Sequence, residues 1–524
     1  MAGDTRARAV ARVAVDIAAA GDVALPEALR LWRLAGGRPA VGTLRPGCPD
    51  DLGAVLEAAL DVDARRRRGA HFTPPPVADE LVATALGGMQ ATRVLDPACG
   101  GGAFLLAAAR HLAARGMPRQ RAVRCLWGVD IDPVAVATAE AALTIWAGCS
   151  PAAEQLVVAD PLLDELGWPP FDAVVGNPPF LSQLARATTR DALVVGDVLR
   201  ARFGDAVQPY TDTASLFLLL ACRLTRAGGR VVLIQPQSVL ASRDAAAVRA
   251  AIGAMGVLRD VWFPDGAVFG AAVDVCAPVI DVGAATAAAS PPSTARAWAS
   301  HLASALDVPD VDLEAHGLLG DMGAVVAGFR DEYYGIAPHV RERADWPDGA
   351  PLVTTGLVDL GACAWGARPA RVAKRRWSAP VVDVGAVEGK AAMWIERTRR
   401  PKVVVATQTK VMEAAVDETG DWVPGVPLVV VLAQPSDLWH VAAAVCAPPV
   451  TAWVAHRTAG TALTQRALKV SAKLVAQIPL PADRAAWDVG ARALRDGDID
   501  TFATAMTAAY GADEAVRTWW HTRR

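Results

Sequence analysis

Between residues 93 and 236, short apolar runs alternate with longer stretches of helical texture. The runs are Arg93-Val-Leu-Asp96, Cys125-Leu-Trp-Gly-Val-Asp130, Gln155-Leu-Val-Val-Ala159, Phe171-Asp-Ala-Val-Val-Gly176 and Gly228-Gly-Arg-Val-Val-Leu-Ile-Gln-Pro236. Runs this short, rich in Val and Leu and closed by Gly, Asp or Pro, read as strands buried on both faces. Three apolar helices fall between them: one from the glycine turn to about Arg115, an Ala-rich one after Pro133, and Thr213-Ala-Ser-Leu-Phe-Leu-Leu-Leu-Ala. Strands alternating with helices predict an α/β fold on a mostly parallel, doubly wound sheet. Asp274-Val-Cys-Ala-Pro-Val-Ile-Asp281 suits a further strand, paired with 228–236 at the far side of the sheet.

The flanks have a different texture. Residues 1–60 read as a helical segment, with helix starts in Ala24–Trp32 and Asp50–Glu57. The Pro/Ser/Thr-rich stretch near Ser290 reads as a linker, and 286–345 as linker plus a mainly helical connector. From about 346 short apolar runs separated by turns take over, such as Lys402-Val-Val-Val-Ala and Pro427-Leu-Val-Val-Val-Leu. They predict an α+β domain over 346–485, with 439–447 and 452–457 helical, followed by a helical segment over 486–524. The catalytic sheet is assigned to 61–285. No internal repeat is visible.

Chemistry gathers at the strand ends. Asp96-Pro-Ala98-Cys-Gly100-Gly-Gly102 is a glycine-rich turn opening a helix, which lets backbone approach a ligand at a helix N-terminus. Asp130 ends the second strand some 30 residues later, where an acid suits the two hydroxyls of a ribose. Asp160 ends the third and can accept from an adenine amino group. The fourth runs into Asn177-Pro178-Pro179-Phe180. A planar exocyclic amine is a poor nucleophile because its lone pair is delocalised into the ring. Acceptors on both of its N–H bonds, the Asn177 side-chain oxygen and the Pro178 carbonyl, hold it and make the nitrogen more tetrahedral. The prolines fix φ and stiffen the loop, and Phe180 offers a face for stacking. Each motif alone is ordinary turn chemistry. Four consecutive strand ends carrying polar groups, where doubly wound sheets bind ligands, argue for a site.

In these residues the chain resembles the S-adenosylmethionine-dependent N6-adenine DNA methyltransferases, with motifs in the gamma order and of the restriction-modification or defence type. Asp96–Phe104 is similar to their cofactor motif and Asn177–Phe180 to their catalytic motif. Arg67-Arg-Gly-Ala-His-Phe-Thr73-Pro74-Pro75 is similar to the segment before the first strand. The resemblance implies a Rossmann-like class I methyltransferase sheet with an N-terminal helical segment and a C-terminal α+β target-recognition domain. It implies S-adenosyl-L-methionine as cofactor, held by Thr73, Asp96, Ala98, Gly100, Gly102, Asp130, Ile131, Asp160 and Asn177. Asp96 is expected near the methionine amino group. Asn177, Pro178, Pro179 and Phe180 are the expected catalytic residues. Phe269, in Asp265-Gly-Ala-Val-Phe269-Gly, is the expected second aromatic against a flipped base, with a core phenylalanine the competing reading. The likeness is specific over about 65–285. Beyond, Thr458–Pro481 is more weakly similar to the end of such recognition domains. No metal is implied.

Composition narrows the setting. Hydrophobic residues make up 53%, yet no stretch reads as a membrane span and the N-terminus lacks a signal peptide's apolar core. The cysteines are scattered without paired spacing, which argues for free thiols, no zinc site and a cytoplasmic setting. Net charge is −3, so any nucleic-acid contact must use local patches. Every lysine lies late: Lys374, Lys390, Lys402, Lys410, Lys469 and Lys473. With Arg371–Trp377 and Arg397–Lys402 they place basic clusters where double-stranded DNA contact is expected, and Lys402, Gln408 and Lys410 are the chosen contacts. Arg65–Arg68 is a further basic run. The short, lysine-free residues 1–60 do not read as a nuclease, which leaves a separate nuclease or defence-system subunit as a partner. Two alternatives stay open: transfer to an RNA base amine or a protein glutamine amide, and a non-catalytic DNA-binding subunit.

Overall fold

The computed structural model describes residues 4–42, 47–59, 72–180, 189–208, 210–266, 268, 274–283, 295–314, 316–462, 464 and 467–524. They fall into two compact units, Met1–Trp298 and Ala299–Arg524.

The first unit is built on one sheet. Its strands are β1 (Val94–Asp96), β2 (Leu126–Asp130), β3 (Leu156–Val158), β4 (Phe171–Gly176), β5 (Thr225–Leu233), β6 (Gln235–Pro236), β7 (Gly256–Trp262) and β8 (Val275–Val282). The order is β3-β2-β1-β4-β5-β8, with β6 and β7 also paired to β8. Strands β1 to β5 are mutually parallel, and β8 runs antiparallel to β5 and β7. The expected pairing of β8 with β5 is present, Val231 opposite Ile280. Every residue of β4 is buried, as a strand covered on both faces requires, and its one polar side chain, Asp172, accepts from the Thr92 N–H and pairs with Arg226. The chain builds outward from β1 to β3, returns, and starts again with β4 on β1's other side. That reversal leaves a crevice at the carboxyl ends of β1 and β4.

Helices α1 (Thr5–Ala20), α2 (Arg30–Ala35), α3 (Asp51–Ala58), α4 (Pro75–Leu86), α5 (Ala103–Ala114), α6 (Pro133–Ala147) and α7 (Thr213–Leu224) cover the sheet. Asp4, Asp132 and Asp212 cap α1, α6 and α7 by accepting the otherwise unpaired first backbone N–H groups. Helix α6 is buried almost all round because α1, α2 and α3 pack over it. Its sequence accordingly shows almost no polar face. Residues Ala7, Val10, Ala11 and Ala14 share one core with the sheet, so the N-terminal helices are part of the catalytic unit's interior.

In the second unit, Ala414–Asp417, Lys402–Val405, Val429–Ala433 and Gly323–Ala327 form an antiparallel sheet in that order. The stretch read as a helical connector thus supplies an edge strand. Gly-Ala-Val-Val-Ala carries neither alternation nor length, and only its pairing with Val429–Ala433 makes it a strand. A smaller sheet joins Val340–Glu342, Pro380–Val382, Ala350–Val353 and Val423–Pro424. Helices Arg484–Asp496, Ile499–Ala509 and Glu514–Arg523 close the chain. Among the described residues no single helix is long and apolar enough to cross a membrane.

Candidate active site

Two strand ends are tied to each other. The Asp130 carboxylate accepts the backbone N–H of Gly100 at 3.0 Å and that of Asp132 at 2.9 Å. The acid at the end of β2 therefore holds the glycine turn that follows β1. Gly100 has φ +51°, and a Cβ there would meet no atom within 4 Å. Backbone conformation demands glycine, and the position faces open space where a ligand can approach the main chain. Gly102 caps α5. Ile131, next in chain, is 59% exposed, a large aliphatic side chain beside the acid.

Asp96 is buried at 1% exposure, and Oδ1 accepts the Ala98 N–H at 3.0 Å. Strand β4 passes directly over it. A Cβ on Gly176 would lie 2.4 Å from Asp96 Oδ1, so only glycine lets β4 close against the carboxyl group. Burial, aided by the nearby Asp130 charge and opposed by the Ala98 N–H, pushes the Asp96 pKa up to about 8. A carboxyl group that holds its proton near neutrality sits at the centre of the crevice.

Asn177 follows Gly176. Its Nδ2 donates to Thr73 Oγ1 at 3.2 Å, which sets the amide's rotation, with Oδ1 as its accepting end. Thr73 is buried just ahead of α4. Pro178 is buried, and Phe180 is half-buried against the edge of the core. Ile234, just beyond β5, donates its N–H to the Gly176 carbonyl at 3.0 Å, fixing the start of the loop from the other side. At the end of β3, Asp160 Oδ1 accepts the Leu162 N–H at 3.0 Å and shapes the turn.

Some functional connections were not readable from sequence. Arg6 of α1 ion-pairs with Asp132, so the N-terminal helix grips the residue two past Asp130. Asp132-Pro133 carries the N-cap and first-turn proline signature that marks its capping role. The contact between Thr73 and Asn177, 104 residues apart, has no sequence signal.

The expected DNA contacts separate. Gln408 and Lys410 are exposed, with Gln408 opposite Lys469 on a short strand pair. Lys402 is a correction: it is 0% exposed and ion-paired with Asp417, its cross-strand neighbour. A lysine in a basic run reads as surface, but here it opens a strand in which every residue is buried, and it cannot reach DNA from the folded domain. Arg397, Arg399 and Arg400 of the same run are exposed. Phe269 and Arg65–Arg68 lie outside the described residues. A cleft of about 350 Å³ in the second unit, lined by Tyr333, Leu352, Thr354 and Arg371 among others, contains none of the strand-end groups. Convergent chemistry, more than cavity size, locates the site.

Residues 48–281 match the family model of the N-6 DNA methylases, which spans the glycine turn, the three acids Asp96, Asp130 and Asp160, and the Asn-Pro-Pro-Phe loop. Among solved structures, the type IIL restriction-modification enzyme MmeI, determined in complex with DNA, is 12% identical, with a TM-score of 0.56 over 94% of this chain and 83% of that one. At that identity the likeness is one of fold. The type IIG restriction endonuclease BpuSI is 11% identical, with a TM-score of 0.45 over 99% of this chain and 78% of that one. A type I methyltransferase subunit from Streptococcus thermophilus is 20% identical, with a TM-score of 0.34 over 47% of this chain and 51% of that one.

Proposed function

We propose that this chain, whose residues 48–281 match the N-6 DNA methylase family model, methylates the N6 amine of an adenine flipped out of a specific double-stranded DNA sequence, using S-adenosyl-L-methionine. The observation that carries the reading is the Asn177 amide, whose Nδ2 donates to Thr73 Oγ1, in the loop that leaves β4 beside the strand ends carrying Asp96 and Asp130. The fold shared with MmeI, a restriction-modification enzyme solved in complex with DNA, supports DNA as substrate.

The residues present fit the cofactor. The open space at Gly100 admits a ligand against the main chain. Asp130 is at the strand end suited to ribose hydroxyls, with Ile131 exposed beside it for an apolar ring face. Asp160 suits the adenine amino group and Asp96 the methionine ammonium. When bound, the cofactor supplies an electrophilic methyl group on a sulfonium sulfur. The chain's part is positioning and electrostatics. Flipping the base costs a few kcal/mol, and stacking on Phe180 returns roughly 1–3 kcal/mol of it. Asn177 Oδ1 and the Pro178 carbonyl accept the two amine hydrogens, draw the lone pair out of the ring and aim it. No strong base is needed, because the amine proton becomes acidic only after transfer. The direct test is label transfer from tritiated cofactor to duplex DNA, RNA and protein in parallel. Label on RNA or protein alone would overturn the reading, and sequencing of methylated DNA gives the site.

Two predictions concern cofactor binding. Asp130→Ala removes the ribose acceptors and also frees the Gly100 N–H. Charge-assisted hydrogen bonds contribute about 1.5–3 kcal/mol each, so calorimetry should show affinity falling by a few kcal/mol in a variant that still melts cooperatively. Unchanged affinity in that variant would remove Asp130 from the cofactor site.

The second concerns protons. Asp96 has its folded pKa raised from 3.8 to about 8. The native state therefore binds one more proton than the unfolded chain between those values, and this group's contribution to stability falls as pH rises through them. An ammonium placed beside Asp96 favours its ionised form, so cofactor binding near neutral pH should release a proton. Binding enthalpies measured in buffers of different ionisation heat will report it, and Asp96→Asn should abolish the release. Equal enthalpies across buffers in the wild type would sink the ammonium assignment.

A further inference from the structure

The segment Ala370–Trp377 is a two-stranded ribbon in which positive charge is held against its own cost. Ala370–Val372 pairs antiparallel with Arg375–Trp377, which sets Arg371 directly opposite Arg376. Both are exposed, while Ala370 and Val372 face inward. Like charges directly opposite on a ribbon destabilise the pairing. The two-residue turn adds to this. Ala373 and Lys374 both sit at left-handed φ, +51° and +64°, where hairpins of this kind ordinarily place Asn and Gly. Lys374 and Arg375 are also exposed.

The ribbon is nonetheless held firmly from behind. The Arg375 guanidinium lies over the Trp377 ring at 4.8 Å, the Trp377 indole donates to the Val372 carbonyl at 3.3 Å, and the Ala373 N–H donates to the Tyr333 hydroxyl at 3.1 Å. No carboxylate among the described residues pairs with Arg371, Lys374, Arg375 or Arg376. Three other cations of this unit do find acids: Arg368 pairs with Asp359, Lys390 with Asp331 and Lys402 with Asp417. A rigid, exposed ribbon with four unneutralised cations in six residues is complementary to a polyanion. A two-stranded ribbon also matches the width of a DNA major groove.

Resting on duplex DNA as the substrate, we propose that the ribbon 370–377 is a DNA-gripping element of the second unit, with Arg371 and Arg376 each neutralising a backbone phosphate. The like-charge pair is stable in the complex because each guanidinium there has an anion of its own. The pair fixes register on the duplex and carries no sequence preference.

The test uses the full chain, with a duplex bearing the methylated site and a scrambled duplex, binding being followed across salt concentration. Methyl transfer by the wild-type protein tests the substrate reading separately. Arg371→Gln with Arg376→Gln should lower the slope of log affinity on log salt by about 0.9 for each contact on both duplexes. Extrapolated from a common value at 1 M salt, the two lost contacts weaken binding about 60-fold at ~0.1 M. The thermal midpoint should stay level or rise, since a repulsion is removed. Arg376→Glu, which sets an acid opposite Arg371, should keep the ribbon paired yet weaken DNA binding at least as much. Unchanged slope and affinity in folded variants would overturn the proposal. So would a loss confined to one duplex, which would mean base reading, or a lowered midpoint in the glutamine variant, which would mean that the pair serves the fold.

Discussion

Asn177→Ala is expected to lower methyl transfer by about 10²–10³-fold, the usual effect of deleting one preorganised polar group at a reacting centre, while cofactor affinity stays within a few-fold. The asymmetry follows from where the amide points. Thr73 accepts from Nδ2, which orients the amide, and in the proposed complex the exocyclic amine donates to Oδ1. That hydrogen bond strengthens as the nitrogen turns tetrahedral and gains positive charge, so it acts on the transition state more than on binding. Single-turnover transfer with saturating cofactor reads the chemical step, and calorimetry reads the cofactor. The Thr73 hydroxyl gives an internal control. Thr73→Ser keeps the acceptor and should keep the rate, whereas Thr73→Val leaves the amide free to rotate and should fall between wild type and Asn177→Ala. Near wild-type turnover in Asn177→Ala would make the loop a structural turn and move the chemistry elsewhere.

The sheet and its strand-end acids were legible because each strand centres on a short apolar run and each chemistry-bearing residue ends or closely follows one. Burial on both faces of a parallel sheet writes itself into composition, so β1, β2, β4 and β5 can be read without any partner in view. What could not be read is what depends on contacts between distant segments. Glycine at 176 looks like the end of a strand. Its reason is the Asp96 carboxylate lying under β4. The raised pKa of Asp96 arises from burial that no local pattern encodes. Gly323–Ala327 becomes a strand only by pairing with Val429–Ala433, about a hundred residues later. In the second unit the basic clusters were visible as clusters, but which cations face solvent is decided by how the strands that carry them are covered. Arg371 and Arg376 face out, and Lys402 faces in.

Lys402 leads to the second large effect, on stability. It opens the strand Lys402–Val405 directly opposite Asp417, and both side chains are excluded from water. Burial lowers the lysine's pKa, and the Asp417 carboxylate opposes that shift. Asp417 in turn organises the following turn, accepting from Gly420 N–H at 2.9 Å, Trp422 N–H at 3.0 Å and Thr419 Oγ1 at 3.2 Å. Lys402→Met removes the cation and leaves a buried carboxylate with hydrogen bonds but no counter-charge. Breaking a buried pair from one side typically costs about 3–5 kcal/mol, and denaturant unfolding of the full chain should show a loss of that order. Lys402→Met with Asp417→Leu removes both charges but also the acceptor of the turn, so it should recover only part of the loss. DNA affinity and its salt slope, measured well below the unfolding transition, should be unaffected by Lys402→Met. If the variant unfolds like wild type and instead loses one phosphate contact's worth of salt dependence, the strand must open to release this lysine, and the pair with Asp417 is a latch on DNA binding rather than a part of the core.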